Sequence, residues 1–305
     1  MSDSAGYSWR HSSYCTKKPL IVETNIFQYE FIVKGLLGAI FASITAGMAG
    51  TYIVSRRMVF LSGGITHASF GGIGIGYFAG INPVVGAAVF GILSALGVEY
   101  LSVKQKIRED SAIGILWAFG MAIGIIFIYL TPGYTPNLMS YLFGSILTVT
   151  NTDISALGIM SVILILYFGI FYRTILYISF DEVFARTYSS YVDIFKYFTT
   201  SLIALTIVLN IRMAGVILVL SLLTIPPNIA MIFTRVYFKI VIWSVIAGFL
   251  GTATGYVISY FAGVPVGATI IFTLVIIWVI AKGINHMVKK ISNAGKHHAE
   301  DIRIN

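Results

Sequence analysis

Charge is what this chain has least of. Among 305 residues, Asp and Glu number 12 and Lys and Arg 20, so 10% of the sequence is charged. A soluble globular domain carries about 25%, and that class is excluded. Cysteine occurs once, at Cys15, so no disulfide can close within the chain. The phosphate-cradling Gly-x-x-x-x-Gly-Lys-Ser/Thr loop is missing, and the chain does not bind ATP in that way. No His-Glu-x-x-His pair is present, which removes the commonest zinc hydrolase pattern. Gly71-Gly72-Ile73-Gly74-Ile75-Gly76 imitates a dinucleotide fingerprint, but it lies inside a long apolar segment with no strand before it. Glycines there serve helix packing in lipid. Acidic residues are scarce in the apolar segments; Glu99 lies near the end of one and is expected to snorkel to water. The net charge of +8 does not indicate a nucleic-acid partner, because the basic residues sit at the ends of apolar runs rather than on one face.

What is abundant is hydrocarbon. Hydrophobic residues make up 57% of the chain, mean hydropathy is +0.89, and there are 30 glycines. The expected fold class is an all-α integral membrane protein, a polytopic bundle of about eight or nine transmembrane helices. Nine apolar segments are long enough to cross a bilayer: 29–54, 58–80, 83–104, 109–130, 154–172, 194–210, 213–233, 237–262 and 264–283. The stretch 134–152 could add a re-entrant or interfacial piece. One membrane domain, 29–285, is therefore expected to fill most of the chain. Residues 1–28 are polar and lack the apolar run of a signal peptide, so they are expected to be a disordered tail. Residues 286–305 are expected to form a basic cytoplasmic tail.

Basic residues orient the bundle. Arg56, Arg57, Lys104, Lys106, Arg108, Arg173, Arg186, Lys196, Arg235 and Lys239 fall in one set of loops. With the five of the C-terminal segment they account for 15 of the 20 Lys and Arg. The opposite loops hold only Arg212. The first set is therefore cytoplasmic, as is the C-terminus, and nine spans put the N-terminus outside.

Three local features stand out. His67 is the only readily titrating side chain in the segment from Met58 to Gly80, about 14 Å along a helix from its start. A polar group at that depth needs a partner, a cavity or a cargo, and imidazole ligates divalent metals. A hydrogen bond to a neighbouring helix and a ligand role are both open on the residues alone. Second, Ser179 to Ser190 is too short and polar to span. Asp181 and Glu182 suit the first turn of a short helix. Phe180, Phe184 and Tyr188 recur at spacing four. This is either a connecting helix at the interface or a docking helix for a soluble partner. Third, Pro226-Pro227-Asn228 interrupts an apolar segment. The two prolines remove two backbone donors, leaving a packing kink or a break that lines a pathway.

These residues also resemble a known family. Arg56-Arg57-x-x-Phe60-Leu61 followed by Gly64-Ile65-Thr66-His67-Ala68 and Gly72 is similar to the signature of permease subunits of zinc/manganese/iron ABC importers. In order come Arg108-Glu109-Asp110-Ser111-Ala112-Ile113-Gly114-Ile115, Ser140-Tyr141-Leu142-Phe143-Gly144-Ser145-Ile146-Leu147, Asp181-Glu182-x-Phe184-Ala185-Arg186, and Arg212-x-x-Gly215 through Leu222-Leu223-x-Ile225-Pro226. The likeness covers about residues 30–285. It implies a cobalamin-importer-like (type II) permease fold and a homodimer. It further implies two cytoplasmic ATP-binding cassette subunits and an extracytoplasmic metal-binding protein. Nothing would be bound permanently; the cargo would be zinc first, manganese second, with ferrous iron third, and ATP would act on the partner subunit. A chelate permease for a siderophore, haem or cobalamin, or a secondary carrier without an ATPase, is the alternative. The resemblance assigns His67 to the metal and Asp181, Glu182, Phe184, Ala185 and Arg186 (within 179–191) to ATPase coupling; Gly63, Thr66, Pro226 and Asn228 are expected along the pathway. Gly63 stands where the family has an aspartate paired with the histidine four residues on, so a hard oxygen ligand is missing.

The charge asymmetry predicts that a reporter fused after residue 284 reads as cytoplasmic and one inserted near Gly133 as external. Opposite readings at both places would overturn the orientation.

Overall fold

A computed structural model describes residues 30–133 and 149–304. The motif at 140–147 and most of the 134–152 stretch lie outside the described residues. The described chain is all helix: α1 (Glu30–Ser55), α2 (Val59–Ala79), α3 (Pro83–Val103), α4 (Glu109–Leu130), α5 (Asn151–Ile170), α6 (Tyr172–Phe180), α7 (Glu182–Tyr188), α8 (Val192–Ala214), α9 (Val216–Phe233), α10 (Tyr237–Ala262) and α11 (Val266–Ile304). Residues 286–304 continue α11 without a break.

Local chemistry sets the boundaries. Pro83 opens α3 behind Asn82, whose side chain accepts from the Val84 N–H at 2.9 Å; proline is tolerated there because that N–H has no helical acceptor. Thr150 and Asp153 form a reciprocal capping box at the start of α5. Gly80, at φ 68°, closes α2 in a left-handed turn that a side chain disfavours. The segment predicted as 194–210 is longer, 192–214.

Eight of these helices are long and apolar enough to cross a membrane. The exception among the long ones is α2, equal to α3 in length at 21 residues. Its apolar content is diluted by glycine, Ser62, Thr66, His67 and Ser69. The bundle compensates by covering it: α3 and α4 pack along it, with α8 and α9 behind. On the other side α1 packs against α9 and α10, and α11 against α9 and α10.

The ion pairs group the helix ends. Arg56, Glu99, Glu182 and Lys196 meet on one side, and Asp153 meets Arg212 elsewhere, at the start of α5 and the end of α8. With Arg56 in the corner between α1 and α2, and α3 ending near Glu99, α2 must traverse the bundle, so among the described residues α2 joins the eight long apolar helices in crossing it.

Backbone contact holds α2 in place. A Cβ at Gly72 would run into the Gly86 carbonyl, one at Gly74 would meet Gly124 backbone, and one at Gly120 would lie 2.6 Å from the Ala68 Cα. Gly63 differs: a Cβ there would meet only Leu220 and Trp117 side-chain atoms at 3.8 Å, ordinary contact. Gly72→Leu should therefore lose most of the folded, monodisperse protein in detergent, since overpacking costs about 1–3 kcal/mol even where side chains can move. Gly63→Ala should keep the wild-type melting temperature or raise it slightly. Equal melting temperatures for Gly72→Leu and wild type would refute this packing.

Candidate functional site

The first half of the site is built around α2. Its residues Thr66, His67, Ser69, Phe70 and Ile73 form one wall of a cavity of about 180 Å³. Val84 and Ala87 of α3, Met121 and Ile125 of α4, Val208, Ile211 and Arg212 of α8, and Val216 of α9 complete it. The Thr66 hydroxyl donates to the Ser62 carbonyl at 2.5 Å and the Ser69 hydroxyl to the Ile65 carbonyl at 2.7 Å. Their oxygen lone pairs are left over.

His67 is half-buried. Its ring lies flat against Trp117 of α4, centroids 4.3 Å apart and planes within 6°. Stacking fixes the ring's plane without using its nitrogens, and no hydrogen bond reaches either nitrogen among the described residues. The ring's contact with a neighbouring helix is this stack. Among the described residues no cluster of three or more His, Cys, Asp or Glu is placed to hold a metal. The cavity's donors are an imidazole nitrogen, hydroxyl oxygens and the Met121 thioether. Arg212 stands in the last turn of α8, its guanidinium 2.6 Å from Asp153.

The predicted pathway residues do not converge. Gly63 and Thr66 share α2 with His67. Pro226 is buried, near the position that a Gly248 side chain would take, and Asn228 is exposed, its amide donating to the Thr224 carbonyl at 2.8 Å. Neither lines the His67 cavity. The carbonyl of Leu223, which would have accepted from the N–H that Pro227 lacks, faces Gly50 of α1 closely enough to exclude a side chain there. The break is thus packed against protein.

The second half of the site is α7. Asp181 caps it, accepting from the Phe184 N–H at 2.9 Å. Val183 is 76% exposed and Phe184 50%, whereas Ala185 is 2% exposed. Ala185 therefore belongs to this chain's own core, and the outward apolar surface is Val183, Phe184 and, flanking it, Phe180 and Tyr188.

Behind α7 lies a charge cluster. Glu182 accepts from Arg56 at 3.3 Å and lies 3.2 Å from the Lys196 ammonium. The same two cations hold Glu99: Lys196 at 2.8 Å and Arg56 at 3.6 Å. Thr200 adds a hydrogen bond to Glu99 at 3.2 Å. Arg186 bridges Glu182 at 2.9 Å and Asp193 at 2.7 Å. Burial pushes the Glu182 carboxyl up, but Arg186, Lys196 and Arg56 outweigh it and hold its pKa below the ordinary 4.5. Glu99 does not reach water as expected. It is 2% exposed, because cations from two other helix ends come to it.

A model of the ABC 3 transport family matches residues 28–284. The chain belongs to that family. A manganese transport system membrane protein of Listeria monocytogenes is 33% identical over 256 residues, covering 84% of this chain and 91% of that one. An uncharacterized membrane protein of Synechocystis is 39% identical over 254 residues, 83% and 90% of the two chains. Among solved structures, PsaBC from Streptococcus pneumoniae in complex with Fab superimposes with a TM-score of 0.75 at 29% identity, covering 84% of this chain and 92% of that one. As a member of the ABC 3 transport family, the chain is an all-helical, multi-pass membrane permease of the type II fold.

Trp117 and Met121 gave no sequence signal, because an aromatic and a thioether in an apolar segment look like ordinary lipid-facing residues. Glu99 and Lys196 were visible as charges near span ends, but their partnership depends on helices far apart in sequence.

Proposed function

We propose that the chain is the membrane subunit of an ATP-driven importer of a divalent transition metal ion, working as a pair of identical permeases. The observation that carries this reading is His67: a nitrogen ligand with no other bond, held by a stacked indole on the wall of a cavity between crossing helices. Few ligands suit a passage that must release its ion inside. The outward face of α4, where Ile115, Phe119 and Ile126 are each more than half exposed, is the surface a second copy would cover, bringing two His67 side chains towards one passage. An extracytoplasmic metal-binding protein would deliver the ion near Arg212 and Asp153. Two ATP-binding cassette subunits would dock on Val183 and Phe184.

Zinc is the first ion to test. Imidazole and thioether donors suit a borderline-soft ion, whereas manganese favours carboxylate oxygens, and the position of Gly63 supplies none. Manganese is the second, supported by the name of the Listeria relative; ferrous iron is third. A siderophore, haem or cobalamin is disfavoured by the size of the cavity, and family membership speaks against a carrier without an ATPase.

Two experiments test the reading. In vesicles reconstituted at equal protein levels, His67→Ala and His67→Gln should cut metal uptake by tenfold or more while the melting temperature stays near wild type. Full uptake of zinc, manganese and iron by both variants would leave His67 a packing residue. Separately, Val183→Glu places an unpaired charge on an exposed apolar surface; burying it under a partner costs several kcal/mol. The variant should fold normally yet lose co-purification of the ATPase subunit, and undiminished complex would remove α7 as the docking element.

A further inference from the structure

The four charges behind α7 close a ring. Going round it, Glu99 of α3 pairs with Arg56 in the α1–α2 corner, Arg56 with Glu182 of α7, Glu182 with Lys196 of α8, and Lys196 with Glu99 again, at 3.6, 3.3, 3.2 and 2.8 Å. Each cation is shared by two carboxylates. One carboxylate, Glu182, sits on the short helix at the cytoplasmic surface with its side chain 30% exposed; the other, Glu99, is sealed with its side chain 3% exposed.

The ring joins particular helices. Arg56 occupies the corner between α1 and α2, where Arg57 takes a left-handed φ of 59° and the Met58 N–H returns to the Ile53 carbonyl at 2.9 Å. So tight a corner ties the guanidinium's position to the start of α2. Lys196 stands in the second turn of α8, and Glu99 in the last turns of α3. Helices α2, α3 and α8 are also three of the helices that line the His67 cavity. The ring thus bonds the cytoplasmic ends of three cavity-lining helices to α7 and to each other.

We propose that this ring is the linkage by which displacement of α7 reaches the cavity, and that Glu99 is its positioning residue. When α7 moves, Glu182 withdraws from Arg56 and Lys196. Both cations lie in a poorly solvated pocket and keep Glu99 as the one carboxylate still paired with each of them, while Glu109 acts on both only through space. The ends of α2 and α8 then close on α3, or open from it when Glu182 returns. Without the Glu99 charge, α7 can still move, but the two cations lose the carboxylate paired directly with both, and the three helices no longer respond together. This inference rests on α7 being the docking element.

The test is ions taken up per ATP hydrolysed, with the permease and its ATPase subunit reconstituted in vesicles. Glu99→Gln keeps the side chain's size and its hydrogen bond to Thr200. It should assemble with the ATPase and hydrolyse ATP within about twofold of wild type, while ions per ATP fall at least tenfold. A merely structural loss would lower the amount of complex and both rates together, leaving the ratio unchanged. Glu182→Gln, partly exposed and tolerant of folding, should lower the same ratio. The double variant Glu99→Gln/Glu182→Gln should be no worse than the poorer single variant, because both act through Arg56 and Lys196. A wild-type ratio in Glu99→Gln complexes, or in Glu182→Gln complexes should the first variant not fold, overturns the linkage; so do multiplicative losses in the double variant. If Val183→Glu leaves complex formation intact, the docking reading fails instead, and the two failures are told apart.

Discussion

Helix α2 can lie inside the bundle because the backbones of α3 and α4 come into contact with its own. Gly72 against Gly86 and Gly74 against Gly124 remove the side chains that would hold the helices apart. In a membrane this closeness substitutes for the hydrophobic effect, since lipid tails are as apolar as leucine and helices associate through packing. It also shields the polar groups of α2 from lipid. Thr66 and Ser69 return their hydroxyl protons to their own backbone, and His67 is left facing Trp117 and a small cavity. Lipid against the same helix would raise the cost of that histidine. The geometry of the candidate metal contact therefore depends on glycines that never touch the ion.

The charge ring obeys a related constraint at the end of the bundle that bears α7. Removing one member of a buried ion pair costs about 3–5 kcal/mol, because the partner is left unpaired in a poor solvent. Glu99, Arg56 and Lys196 are buried or nearly so and are mutually satisfied, with Thr200 and Tyr52 taking further hydrogen bonds. Such a cluster is costly to pull apart and cheap to rearrange among its members. A surface helix held by that cluster is firmly attached and yet able to exchange partners, which a docking element requires.

The two features share helices. Arg56 stands in the corner just before α2 and His67 lies about three turns on; Lys196 is in the second turn of α8 and Arg212 in its last. A rigid helix carries a displacement at one end to the other with little loss. In the proposed transporter, the ends meeting α7 and the walls meeting the ion are parts of single bodies.

Composition and order along the chain by themselves determined the membrane class, the all-helical architecture and the family likeness. The absence of charge over some twenty residues leaves a helix few places to go except lipid. The motif from Arg56 to Gly72 also pointed to His67. Only the tertiary structure decided that Gly63 is a vacant position beside His67 rather than a packing necessity, that Pro226 and Asn228 stand apart from the cavity, and that Ala185 faces inward while Val183 faces out. It also decided the fate of Glu99, which its own segment consigned to water. An apolar segment reveals its depth but not its neighbours. Glu99 and Lys196 are separated by 97 positions of chain, and the attraction of one charge for another depends on distance in space, which the fold alone sets.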